Sequence, residues 1–341
     1  MKIFYGICGE GMGHGGRSIA MIERLVALGH RVTLFTYADA FRLLSGAGYE
    51  PHEIAGIRFH QKSDGAVDPL RTARLFGQFL SERRESLDLI RQIAIDEQPD
   101  LFLTDFEPLT ASVASSLGIE CVSIDNQHRF CHPLGSEFPL FLQAYGRLTG
   151  KFVRHWLKRP RQCIVAVFHD CPESRHYRPV DALMRQRIVE LTPSEGDHVL
   201  VYARRGLGRR IVEAAAQVPH ARFIAYGYEG PPADNIEYRP TSEERFAQDL
   251  ASCRAVVCSG GQQLIGEARY FGKPLLVVPI PKQHEQEVNA RYARRDGIGD
   301  FCPIEQLTPA RIERFLAGRY SRGRRANGVD QVLELLGIHH G

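Results

Sequence analysis

The sequence predicts an α/β protein made of two consecutive Rossmann-like domains, each built on a parallel sheet. Short apolar runs of strand length alternate with stretches of helical apolar spacing along most of the chain. Glycine-rich turns twice follow a strand and open a helix, at Gly9–Gly16 and at Gly260-Gly261. The 341 residues also suit two domains, since domains commonly run to about 100–200 residues.

Taken in order, Lys2–Ile7 is a strand and Gly9–Gly16 a glycine loop. Arg17–Leu28 has the helical spacing of Ile19, Ile22, Leu25 and Val26, and Gly29 stops it before the strand Arg31–Thr36. Helices at Ser81–Glu97 and Leu109–Leu117 precede buried-strand candidates at Leu101–Thr104 and Cys121–Ile124, and Cys163–Phe168 adds a late strand. Cys171–Pro179, rich in proline, charge and histidine, reads as the linker. A second series follows: strands at Val199–Ala203, Arg222–Tyr226, Ala255–Cys258 and Leu275–Val278, with helices at Arg209–Gln217, Glu243–Ala251 and Gln262–Phe271. The domains are therefore expected at residues 1–170 and 180–321, joined by 171–179. The tail, 322–341, holds a helix at Asn327–Leu336 of the kind such architectures often return to the first domain.

Composition narrows the function. With 43 Lys+Arg against 40 Asp+Glu, the net charge of +3 is too balanced for a dedicated nucleic-acid binder. No apolar run approaches the roughly 20 residues that span a bilayer. Met1-Lys2-Ile3-Phe4-Tyr5 runs straight into the glycine loop with no signal-peptide core, and the eight scattered cysteines read as reduced thiols, which together suggest a cytoplasmic protein. Cys163, His169, Cys171 and His176 cluster loosely, but their spacing fits no common zinc finger, so no metal is expected.

The N-terminal loop, Gly9-Glu10-Gly11-Met12-Gly13-His14-Gly15-Gly16, leaves amides free at a helix N-terminus, a setting that favours anions or a close substrate. Gly11-x-Gly13-x-x-Gly16 also matches a dinucleotide fingerprint, with Asp39 near the position of a ribose-binding acid. His14, however, puts a titratable group where a pyrophosphate needs close backbone approach. A neutral imidazole there can take a proton from a hydroxyl, provided a carboxylate orients it. Asp105, ending the strand Leu101–Thr104, is the candidate partner, with Glu107 a rival; Asp105 could instead cap the helix at Pro108-Leu109.

The most specific stretch runs from Ser259 to Ala290. Gly260, Gly261 and Gln262 open a helix whose amides can cradle phosphates. Glu267 lies one to two turns along, within reach of ribose hydroxyls. Gly272-Lys273-Pro274 and Val278-Pro279 follow, then His284-Glu285-Gln286-x-x-Asn289-Ala290, whose Glu285 and Gln286 can bond sugar hydroxyls. In this order and spacing, with the Gly-x-Gly-His14 loop and Thr104-Asp105, the sequence resembles the GT-B glycosyltransferases of the UDP-glucuronosyltransferase and peptidoglycan N-acetylglucosaminyltransferase type. The resemblance spans both domains. It implies two sheets facing an interdomain cleft, a nucleotide-sugar donor in the second domain, His14 and Asp105 as the catalytic pair, inversion, and neither metal nor cofactor; no Asp-x-Asp motif occurs.

The chain departs from that pattern at Ser259, where relatives carry a histidine, at Leu264 for a small hydroxyl residue, and at Glu285 for aspartate. Arg204 and Arg205, after the first strand of the second domain, are candidates for the missing phosphate contacts. On the acceptor side, Gly13, Glu107, Gln127 and His128 are expected near the cleft, and Phe130, Phe138, Phe141 and Tyr145 could build an apolar acceptor surface. Arg147, Lys151, Arg154, Lys158, Arg159 and Arg161 around Trp156 form a basic amphipathic stretch, either a solvated face or a contact with an anionic membrane. Rival readings are a nucleotide-sugar epimerase, an NAD(P)-dependent oxidoreductase using the N-terminal loop, and a non-catalytic nucleotide-sugar binder.

Overall fold

The computed structural model describes residues 1–58, 69–157, 160–202, 206–240 and 242–338. The first sheet takes β1 (Lys2–Ile7), β2 (Arg31–Thr36), β3 (His52–Glu53), β4 (Leu101–Asp105), β5 (Cys121–Asp125), β6 (Gln162–Val167) and β7 (Arg178–Asp181), with helices α1 (Met12–Ala27), α2 (Ala38–Gly46), α3 (Pro69–Glu97), α4 (Pro108–Leu117) and α5 (Leu140–Trp156). Its strands are parallel in the order β3-β2-β1-β4-β5-β6-β7. Ile3, Phe4, Tyr5 and Ile7 of β1 are all fully buried, the burial on both faces that a helix-covered parallel sheet requires.

The short helix α6 (Gln186–Val189) leads into the second sheet: β8 (His198–Tyr202), β9 (Arg222–Tyr226), β10 (Ile236–Arg239), β11 (Ala255–Cys258), β12 (Leu275–Val277) and β13 (Gly299–Phe301), parallel in the order β10-β9-β8-β11-β12-β13. Around it lie α7 (Gly206–Ala216), α8 (Glu243–Ser252), α9 (Gln262–Tyr270), α10 (His284–Arg295) and α11 (Pro309–Ala317), and α12 (Gly328–Leu335) follows. Each sheet reverses its strand order once, between β1 and β4 and between β8 and β11. Those switch points open a crevice at the strands' carboxyl ends, where open α/β sheets take ligands.

Two boundaries differ from the sequence expectations. α1 begins at Met12, inside the expected glycine loop, because Gly11 turns the chain at φ 73° and the following glycines accept helical backbone. His14 therefore sits on the first turn of a helix. The first sheet continues through β7, past the expected linker at 171–179; of its residues Val180 alone is buried, so no apolar run marks it. The final helix crosses back onto the first sheet, where Val329, Val332 and Leu333 join the core around Ile3, Tyr5 and Ile22. Gln331 Oε1 accepts the Asp181 amide at 2.7 Å, and Asn327 Oδ1 the Met184 amide at 3.0 Å.

Candidate active site

The two switch points face each other across a cavity of about 520 Å³. Gly13, His14, Arg17 and Gln127 line its first-domain wall, and Gly260, Gly261, Gln262, Glu267, Glu285 and Gln286 its second-domain wall.

On the first wall, β4 delivers Asp105 fully buried to the base of α1. His14 Nδ1 lies 2.8 Å from Asp105 Oδ1, and Arg17, one helical turn on, donates Nε to Asp105 Oδ2 at 2.7 Å. Ser18 Oγ donates to the same oxygen at 3.2 Å. Burial raises the Asp105 pKa, but Arg17 and then His14 outweigh it and hold the carboxyl below its usual range. Burial also works against an imidazolium at His14; the Cys8 and Asp105 side chains outweigh that, against the opposing charge of Arg17, and raise its pKa. The other ring nitrogen, Nε2, faces the cavity, 3.3 Å from Gln127 Nε2. In an Nδ1–H tautomer bonded to Asp105, Nε2 is the accepting nitrogen, able to take a proton in place of the Gln127 contact.

Glu107 and His128 do not line this cavity. Glu107 is the buried cap of α4, accepting the Leu109 and Thr110 amides at 2.7 Å each, so it takes the capping role weighed for Asp105. His128 is buried against Asp125, Nδ1 to Oδ2 at 2.7 Å. That carboxylate raises the histidine to about 11 against the desolvation that opposes it, while Asp125 is held at about 2 despite its burial by His128 and Ser123. Phe130 and Phe138 are core residues, packed with Leu134, Leu142 and Val288; Phe141 remains exposed.

On the second wall, Gly260 takes φ 96°, and a Cβ there would sit 3.1 Å from Gln286 O and from Val277 Cγ1. Gly261 caps α9 with no side chain bonded to its first amides. Glu267 is buried, with Oε1 accepting Arg185 Nη2 at 3.1 Å and Gln263 Nε2 at 3.0 Å. Gln286 Oε1 accepts the Ile280 amide at 3.0 Å, and Glu285 reaches Asn126 Nδ2 at 3.3 Å. Tyr202 and Phe246, ring centroids 5.3 Å apart, supply aromatic surface on this side. Arg204 and Arg205 lie outside the described residues, as do Lys158 and Arg159.

The sequence reading missed Arg17 and Arg185. Arg17 follows His14 by three residues, the helical neighbour spacing, and a helix start at Met12 would have revealed it. Arg185 carries no such signal, because it sits in the connection between the sheets. Asp39, the acid a dinucleotide reading needs, instead accepts the Gly11 amide at 3.2 Å and pairs with Arg42. Among the described residues no group of three or more His, Cys, Asp or Glu could hold a metal ion.

The model of glycosyl transferase family 1 matches residues 1–318, nearly the whole chain. The chain belongs to this family. An uncharacterized glycosyltransferase of Methanosarcina mazei is 26% identical over 92% of this chain and 88% of its own. A UDP-N-acetylglucosamine–N-acetylmuramyl-(pentapeptide) pyrophosphoryl-undecaprenol N-acetylglucosamine transferase of Methylobacterium radiotolerans is 25% identical over 48% of this chain and 46% of its own. In structure, the calicheamicin glycosyltransferase CalG4 superposes with a TM-score of 0.66, 19% identity and 98% of both chains covered. The glycosyltransferase thus has the GT-B architecture, and its cavity lies between the two Rossmann-like domains.

Proposed function

We propose that this glycosyltransferase moves a sugar from a nucleoside-diphosphate sugar, a UDP-sugar by its resemblance, to an acceptor hydroxyl with inversion. One observation carries the reading: His14, held from behind by the buried Asp105, and the Gly260–Gly261 helix start with Glu267 line opposite walls of one cavity. The acceptor oxygen attacks the anomeric carbon while His14 Nε2 takes its proton, and the bond from that carbon to the diphosphate oxygen breaks on the far face. Asp105 orients the imidazole and stabilises the imidazolium. The charge growing on the leaving diphosphate meets the amides at the start of α9, and the resemblance implies a reaction without a divalent metal. Glu267 and Gln263 serve the ribose, Tyr202 and Phe246 the base, and Glu285 and Gln286 the sugar.

The acceptor reading draws on α5. Leu148 and Phe152 are exposed beside Arg147, Lys151 and Arg154 on this helix, an apolar stripe with basic flanks suited to an anionic membrane. A lipid-linked acceptor fits that surface, as in the transferase named above that acts on a pyrophosphoryl-undecaprenol. In the described residues no helix is long and apolar enough to cross a membrane, so contact would be peripheral.

His14→Ala should lower transfer about a hundredfold or more, in line with loss of a general base, while the affinity for the nucleoside diphosphate stays near wild type. Glu267→Ala should show the reverse, a loss of nucleotide affinity measured by calorimetry. Loss of nucleotide binding in a folded His14→Ala protein would contradict the base assignment.

A further inference from the structure

Arg129 belongs to the first domain, on the tight helical turn Gln127–Cys131 after β5, yet its guanidinium lies among side chains of the second. Nη1 donates to Gln262 Oε1 at 3.0 Å and to Asn289 Oδ1 at 2.8 Å, and Nη2 to Glu285 Oε1 at 3.5 Å. Asn126 Nδ2 reinforces two of these, reaching the same Gln262 and Glu285 oxygens at 3.0 and 3.3 Å. Gln262, Glu285 and Asn289 all line the cavity, whereas Arg129 is only 5% exposed and stands behind them.

The consequence is orientation. An amide side chain has one accepting and one donating end, so fixing the oxygen aims the nitrogen. With its oxygen on Arg129, Asn289 turns Nδ2 onto Gly260 O at 2.9 Å, and Gln262 turns Nε2 back to Ala166 O of the first sheet. The arrangement is poor as a stabilising ion pair. Among the described residues Glu285 is the one carboxylate Arg129 bonds, at the long end of hydrogen-bond range, and the buried Arg129 Nε has no partner. Its rigid fork is well suited to setting three acceptors at once.

We infer that Arg129 is a positioning residue: it sets Gln262, Glu285 and Asn289 in the orientation that the donor's sugar meets. The sugar half of the donor site is then complete only with the first domain docked against the second. The inference rests on the donor reading above. Glu267 accepts from both Gln263 and Arg185 at the nucleoside end, and among the described residues none of these three bonds Arg129.

The test compares binding of UDP with UDP-N-acetylglucosamine, and of dTDP with dTDP-glucose, by calorimetry on wild type, Arg129→Ala and Arg129→Lys. In wild type one nucleotide sugar binds. Arg129→Ala should weaken that nucleotide sugar about tenfold or more, the scale of a hydrogen bond to a charged group, while its nucleoside diphosphate changes less than about threefold. Arg129→Lys, which keeps the buried charge without the fork, guards against misfolding and should show the same split. Equal weakening of both ligands, or no change in either, overturns the positioning role. Failure of wild type to bind any of the four ligands overturns the donor reading itself.

Discussion

At the residue scale, the chemistry turns on how one proton is held between His14, Asp105 and Arg17. Asp105 pulls the imidazole pKa up and the Arg17 charge, 2.7 Å from the same ring nitrogen, pulls it down; the net shift is upward from the ordinary 6.5. A general base must be deprotonated, so transfer should rise with pH, with its acid limb above 6.5. Asp105→Asn should slow transfer and move that limb toward lower pH, because one of the two groups that raise the pKa, Cys8 being the other, loses its charge. A pH–rate profile of kcat/KM checks both, and a limb that Asp105→Asn leaves in place would contradict the pairing. The same shift links to stability: the folded protein binds the His14 proton more tightly than the unfolded chain. That contribution is complete below the ordinary histidine value and fades as pH rises through the raised one.

At the element scale, α5 carries a surface that the interior does not explain. Leu142 and Val153 face the core while Leu148 and Phe152 stay exposed among basic side chains. Sedimentation with vesicles of anionic lipid should bring down the wild type, and neutral vesicles should not; Leu148→Ser with Phe152→Ser should abolish the effect without loss of fold. Equal recovery with neutral vesicles would remove the charge argument. Legibility in the sequence also divides by element. β1, β4, β5, β9 and β11 are apolar runs buried on both faces, β2 is buried over its second half, and the sequence shows all six within a residue or so of their bounds. The edge strands β3, β7, β10 and β13 have two to four residues each and no run to read. The start of α1 escaped because the five glycines of 9–16 argue locally for a loop, and packing of the helix against the sheet overrides them.

At the scale of the whole molecule, the cavity exists only because two sheets present their switch points to each other. The glycine turns, Glu267 and the His14–Asp105 pair were legible because each stands at a strand end or helix start, where spacing along the chain fixes position. Arg185 was not, because its partner Glu267 lies 82 residues away; Asn126 and Arg129 stand in the polar turn expected at the cleft with Gln127 and His128, but their partners lie 133 to 160 residues away and only the docking of domains brings them together. Glu107 and His128 looked equally available in the sequence and proved to be occupied, one by a helix start and the other by Asp125. The proposed function puts a nucleoside-diphosphate donor in the cleft with Glu267 on its nucleoside. The most direct measurement is a calorimetric screen of UDP, GDP, dTDP, NAD and NADP against wild type and Glu267→Ala. The expected result is saturable binding of one nucleoside diphosphate that Glu267→Ala loses. Binding of NAD or NADP alone, or nucleotide binding that Glu267→Ala leaves unchanged, would contradict it.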